Sequence, residues 1–289
     1  MECGAFGAKS VRELLAGYGF SASKALGQNF LIDENIPEKI VRLAGLGGSD
    51  GVLEVGAGLG SLTLALSRVV GRVVAVEIDK RLLPLLSEAF VGISNIGLVQ
   101  GDILKMDVNK LVIDEMPGLS RHVCANLPYS ITTPALTSFI NAGVFKTITV
   151  MIQREVAQRI CAKTGSTEYG AFTVFACYHT KPEMLFDVPP ECFFPRPGVY
   201  SSVVILRTLD ERILAPEEEP LFFRVVRAAF GQRRKTLVNA LFAMFGNELQ
   251  KGAIAELVRE CGFDERVRGE ALGVDEFARL SRLIRGQGA

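Results

Sequence analysis

The stretch Val52-Leu53-Glu54-Val55-Gly56-Ala57-Gly58-Leu59-Gly60 decides the fold of this chain. Branched apolar residues run into three glycines at alternate positions, and Ser61-Leu62-Thr63-Leu64-Ala65-Leu66 resumes with helical character. The pattern predicts a strand, a tight turn and a helix. Glycine permits positive φ and close backbone approach, so the turn can seat a ligand at the end of a parallel strand, where an open α/β sheet binds one. The glycines are spaced G-x-G-x-G, with Ser61 where a dinucleotide fingerprint wants its third glycine, which disfavours a nicotinamide cofactor.

With 289 residues and 48% hydrophobic content, the chain has enough material for one large domain and a smaller one. Lys+Arg and Asp+Glu both number 32, so net charge gives no argument for nucleic acid, and any RNA surface must come from local clustering. The six cysteines lack a C-x-x-C pair and there are only two histidines, which argues against a metal site and a disulfide framework. No signal-peptide pattern opens the chain and no long uncharged apolar run crosses it, so a cytoplasmic location away from membranes is expected.

Ser10 to Tyr18 fits a short helix with Val11, Leu14 and Leu15 on one face, and Lys24 to Leu31 reads as a loop. Asp33 is placed to cap a helix bearing Ile36, Ile40, Val41 and Leu43. A second buried strand, Arg72 to Asp79, ends in acids; Glu77 near its tip suits both hydroxyls of a ribose, and Asp79 suits a cap for a helix from Lys80 to about Ala89. A third strand ends at Asp102, which fits either an adenine amino group or a cap for Ile103-Leu104.

The fourth strand, His122 to Ala125, runs into Asn126-Leu127-Pro128-Tyr129. Proline stiffens this backbone, asparagine offers an uncharged acceptor and tyrosine a flat face. Together they describe a clamp for a planar base carrying an amino group, or, more simply, a proline turn with Tyr129 as packing. Further on, Ile131 to Ala142 reads as a helix, Thr147 to Ile152 as a central strand, Gln153 to Lys163 as an amphipathic helix and Gly165 to Gly170 as a flexible loop. Ala171 to Tyr178 reads as buried helix or strand. The stretch Pro189 to Pro197 is expected to be a rigid loop without a strand ladder, followed by a last strand at Ser201 to Leu206. From about Asp210 only helices follow, giving expected domains at 1–209 and 210–289. The basic knot Arg233-Arg234-Lys235, preceded by Arg224 and Arg227, suits RNA phosphates or simply a solvated helix junction.

The glycine turn with its preceding acid resembles motif I of S-adenosylmethionine (AdoMet) dependent methyltransferases. Leu26 to Leu31, Glu54 to Gly60, Glu77, Gly101-Asp102, Asn126 to Tyr129, Gln153-Arg154-Glu155-Val156, Phe193-x-Pro195-x-Pro197 and Phe230 to Thr236 together resemble, in order and spacing, the ribosomal RNA adenine dimethyltransferases. The resemblance implies an α/β fold: a Rossmann-like AdoMet-dependent methyltransferase domain, a mostly parallel sheet with helices on both faces, plus a small all-helical C-terminal domain. It implies N6,N6-dimethylation of two adjacent adenosines in a hairpin near the 3′ end of 16S rRNA, within the small (30S) ribosomal subunit, by a monomer without a metal and with a role in subunit biogenesis. Asn29, Leu31, Gly56, Glu77, Asp102 and Asn126 would bind the cofactor. Asn126 and the Leu127 carbonyl would accept from the target amine, while Tyr129 and Phe193 would sandwich the flipped adenine, Phe193 being chosen over Phe194 because it stands two before Pro195. Arg233, Arg234 and Lys235 would contact RNA. Tyr200 stands where the family often has an acid, and Ala57 replaces a frequent proline. The related large-subunit adenine methyltransferases that confer macrolide resistance are the nearest alternative. A ribosome-assembly factor with incidental methylation is another.

Overall fold

The computed structural model describes residues 27–288 together with Val11, Glu13, Leu15, Gly17, Tyr18 and Ser23. Val11 and Leu15 are helical and buried, as their spacing predicts, whereas Leu14 and the residues 24–26 lie outside the described set.

The glycine turn follows β2 (Asp50–Val55) and leads into α2 (Ser61–Ser67), after a first helix α1 (Asn35–Ala44). Asp33 accepts the Asn35 amide at 3.0 Å just ahead of α1. Then come β3 (Arg72–Glu77), α3 (Leu83–Ala89), β4 (Ile96–Gln100), α4 (Val108–Glu115), β5 (Ser120–Asn126), α5 (Thr132–Ala142) and β6 (Thr147–Gln153). Their strands pair in parallel, β4 with β3, β3 with β2, β2 with β5 and β5 with β6, because each is joined to the next through a helix. The sheet has seven strands in the order β4-β3-β2-β5-β6-β9-β7, completed by β7 (Thr180–Val188) and β9 (Ser201–Thr208), with β9 antiparallel to β6. Val52, Leu53, Val73, Val74, Val150 and Ile152 are essentially inaccessible, the continuous apolar burial of strands covered on both faces.

Three local readings change. Pro189–Pro197 is not free of a ladder: β8 (Phe193–Phe194) pairs antiparallel with β1 (Phe30–Leu31), Phe30 opposite Phe194 and Leu31 opposite Phe193. The prolines flank the two phenylalanines, whose own N–H groups stay available, so a two-residue ribbon forms where a longer one could not. The strand β7 escaped prediction because Lys181-Pro182-Glu183 interrupts its apolar pattern; it is the last strand in the sheet order, where proline is tolerated. The loop 165–170 is tied down rather than loose. Tyr169 is 3% exposed and packs on Phe230, and Gly165 N donates to Glu270 O at 2.7 Å.

The chain forms two compact units, residues 1–157 with 183–208, and residues 158–182 with 209–289. The helical unit therefore takes in 158–182, on the other side of the expected division at 209/210. It contains α7 (Ala171–His179), α8 (Glu219–Gly231), α9 (Leu237–Phe245), α10 (Lys251–Glu260) and α11 (Val274–Gly286), and α6 (Arg154–Ile160) spans the boundary. Its core gathers Tyr178, Phe222, Leu241, Phe245 and Phe277, and α7 is a helix because Val174 and Tyr178, one turn apart, both enter that core. His179 packs among Phe175, Tyr178 and Phe223, and burial lowers it to a pKa of about 4, so it serves as an aromatic packing group there.

Candidate active site

The turn after β2 is shaped by the space it must leave. Gly58 has φ +59°, and an added Cβ would stand 3.3 Å from the Phe30 ring. At Gly60, φ +82°, an added Cβ would meet Phe90 at 2.9 Å, so neither position accepts a side chain. The bend opens a cavity of about 1230 Å³, counting its open side, at the carboxyl ends of β2, β3 and β5.

This one cavity is lined by all nine residues that the family resemblance assigns to the cofactor and the target base: Asn29, Leu31, Gly56, Glu77, Asp102, Asn126, Leu127, Tyr129 and Phe193. Asn29 and Leu31 arrive there through the β1–β8 ribbon, which sets Phe193 directly opposite Leu31. Gly56 N bonds Val76 O at 2.8 Å, locking the turn to the neighbouring strand.

Glu77 is 3% exposed and uses both carboxylate oxygens on backbone: Oε2 accepts from Gly58 N at 3.0 Å and Oε1 from Asp79 N at 2.9 Å. Each oxygen keeps a further lone pair for a ligand hydroxyl. Burial raises its pKa, while the two backbone donors pull the other way. Asp102 takes the second of its two readings in this structure: its Oδ1 caps the following turn by accepting from Leu104 N at 3.1 Å, although the residue also lines the cavity. Asp79 does not begin a helix at Lys80, since α3 starts at Leu83. It turns the chain by accepting from Arg81 N at 3.1 Å, and the Arg81 guanidinium on both its oxygens holds the carboxyl down to about 2.

The Asn126 amide donates through Nδ2 to Asn29 O at 3.4 Å, an orientation that leaves its oxygen free to accept. Leu127 N bonds Met151 O at 3.1 Å, holding the turn beyond β5 to β6. Tyr129 is half-buried, and its hydroxyl lies 2.7 Å from Ser201 Oγ. Burial raises its pKa, so it is a neutral ring at physiological pH.

Two contributors lacked an assigned role in the sequence. Gln28 Nε2 donates to Asp79 Oδ2 at 2.9 Å and its Oε1 accepts from Ser23 N at 2.7 Å, tying the segment before β1 to the tip of β3. Its place beside Asn29 was the available signal. Glu54 lines the cavity at 1% exposure with Oε2 lacking a hydrogen-bond partner among the described residues, and burial pushes its carboxyl up to about 8. A buried acid with one unpaired oxygen, a second buried acid that keeps lone pairs for hydroxyls and a side-chain-free glycine bend fit a polar ligand carrying ribose hydroxyls.

Arg233, Arg234 and Lys235 lie in the other unit, and the structure divides them. All three are exposed, but Arg233 Nη2 donates to Thr167 O at 2.6 Å and to Tyr169 O at 3.1 Å, holding the 165–170 loop. Arg224 is engaged by Glu248 and lies over the Phe245 ring at 4.4 Å. Among the described residues no group of three or more His, Cys, Asp or Glu is arranged to hold a metal, and no helix is long and apolar enough to cross a membrane.

Residues 19–280 match the family model described as ribosomal RNA adenine dimethylase. The chain is 42% identical over 277 residues to ribosomal RNA small subunit methyltransferase A of Alkaliphilus oremlandii, covering 96% of each chain. It is 43% identical to the protein of that name from Geobacillus thermodenitrificans, covering 94% of each. A dimethyladenosine transferase from Plasmodium falciparum superposes with a TM-score of 0.77 at 25% identity, over 90% of this chain and 98% of that one. The 23S rRNA methyltransferase ErmE shares the fold with a TM-score of 0.72 at 24% identity, over 89% of this chain and 100% of that one. The glycine bend, the acid-tipped strands and the Asn126 turn are thus found in a chain that belongs to the ribosomal RNA adenine dimethylase family.

Proposed function

We propose that this protein is an AdoMet-dependent 16S rRNA adenine dimethyltransferase that converts two adjacent adenosines near the 3′ end of the RNA to their N6,N6-dimethyl forms, acting as a monomer on the small ribosomal subunit in the cytoplasm. One observation carries the reading: the residues suited to a nucleoside cofactor and those suited to a planar amine-bearing base line the same cavity. The small-subunit relatives, at 42% identity over almost the whole chain, support that substrate over the large-subunit one.

When bound, AdoMet supplies an electrophilic methyl group. Glu77 is suited to accept from the ribose and Asp102 to face the adenine of the cofactor. The exocyclic nitrogen of the target adenine is a weak nucleophile because its lone pair is delocalised into the ring. The Asn126 oxygen and the Leu127 carbonyl are suited to accept its two N–H bonds, letting it pyramidalise. Tyr129 and Phe193 would hold the ring faces, offsetting the few kcal/mol of base extrusion with roughly 1–3 kcal/mol of stacking per base. Positioning thus does most of the work, and no protein nucleophile is needed.

The test is incubation with labelled AdoMet and a mixture of unmethylated small and large subunits, followed by mass mapping of both RNAs. Two neighbouring dimethyladenosines near the 3′ end are expected. Label confined to large-subunit RNA would contradict the reading.

A further inference from the structure

The Tyr129 hydroxyl reaches Ser201, and the residue before Ser201 is Tyr200, 47% exposed. Its neighbour Val199 is 46% exposed. Tyr200 lies outside the cavity lining, yet its mounting is firm. Its carbonyl accepts from Arg154 N at 3.0 Å, and Ser201 pairs with Gln153 at the end of the β6–β9 ladder. Met151, two residues back along β6, pairs in turn with Asn126. The ring therefore stands at the same carboxyl edge of the sheet as the base clamp, on a backbone hydrogen-bonded to it.

A cation accompanies it. The Arg154 guanidinium lies 5.9 Å from the centre of the Tyr200 ring and is 47% exposed, with Nε 3.5 Å from Asp187. The side chain is nearly half exposed while Asp187 steadies it. A rigidly carried, solvent-facing aromatic ring with an arginine beside it is the arrangement that binds a single-stranded nucleotide, the base by stacking and the phosphate by charge. The ladder and the Arg154 N–H bond use only the Tyr200 backbone, so its ring is left to the Arg154 guanidinium and to solvent.

We propose that Tyr200 and Arg154 form a second nucleotide subsite, in which the base adjoining the target adenosine stacks on Tyr200 and its phosphate meets Arg154. The inference rests on the proposed RNA adenine chemistry of the cavity. It gives the protein a means of register: with the neighbour held outside, one adenosine at a time enters between Tyr129 and Phe193.

The chain contains no tryptophan, so Tyr200→Trp installs a single emitter at this position. In the full-length protein its fluorescence is expected to be quenched by an RNA hairpin with two adjacent loop adenosines, and not by AdoMet alone. With unmethylated small subunits, Tyr200→Ala is expected to raise KM for the subunit roughly tenfold, while kcat and AdoMet affinity stay within about twofold. Tyr200→Phe should restore the KM. A Tyr200→Ala enzyme with the wild-type KM, or a Tyr200→Trp emission indifferent to RNA, would overturn the subsite. A wild-type protein that leaves RNA unmethylated would overturn the functional reading itself, so the two failures are told apart.

Discussion

Leu31 and Phe193 stand opposite each other in an antiparallel ribbon two residues long, joining a segment from the start of the chain to a loop from its later half. Both side chains are buried, at 9% and 3%, and both line the cavity. The ribbon makes one wall of the cavity in which we place cofactor and target base together, and Ile32 N extends it by donating to Cys192 O at 2.9 Å.

Phe193→Leu tests that wall. Leucine keeps most of the buried volume and the ribbon uses only backbone, so thermal stability should stay close to wild type. The flat face we propose for the adenine is lost, and kcat/KM for small subunits should fall about tenfold, with AdoMet affinity little changed. Titration calorimetry and a methyl-transfer assay read the two effects separately.

Glu54 makes stability depend on pH. Its carboxyl, ordinarily near 4.5, is pushed up to about 8 by burial, so the folded protein holds a proton that the unfolded chain releases. The stabilisation is complete below the unfolded value and is lost as pH rises through the folded one. The Tm of the ligand-free protein should therefore drop between about pH 5 and about pH 8 by more than that of Glu54→Gln, which carries no titrating proton there. Parallel melting curves across this range would contradict the assignment.

The basic knot should separate into two behaviours. Removing Arg233 frees the Thr167 and Tyr169 carbonyls at a cost of ~1 kcal/mol, so proteolysis within 165–170 should rise without RNA present. Removing Arg234 and Lys235 should leave melting unchanged and flatten the salt dependence of subunit binding by roughly one unit of slope for each phosphate no longer neutralised. Binding measured across a salt series distinguishes them.

Much of this was legible in the sequence. Short continuous apolar runs, the G-x-G-x-G bend and the acids at successive strand tips give the parallel sheet and its ligand edge, because strand burial and glycine geometry are local. What stayed hidden depends on partners far along the chain. The ribbon needed Phe30 beside Phe194, and the structural use of Arg233 needed the loop at 167–169. The orphaned oxygen of Glu54 is equally invisible until its surroundings are packed.

The central claim is that Asn126 holds the acceptor amine in a cavity shared with the cofactor, and Asn126→Ala tests it most directly. AdoMet affinity and methyl transfer to unmethylated small subunits are measured on the same preparation. Binding should be weakened but detectable, with transfer reduced at least a hundredfold, on the order of 3 kcal/mol of transition-state positioning. Turnover at the wild-type rate in that variant would contradict the account.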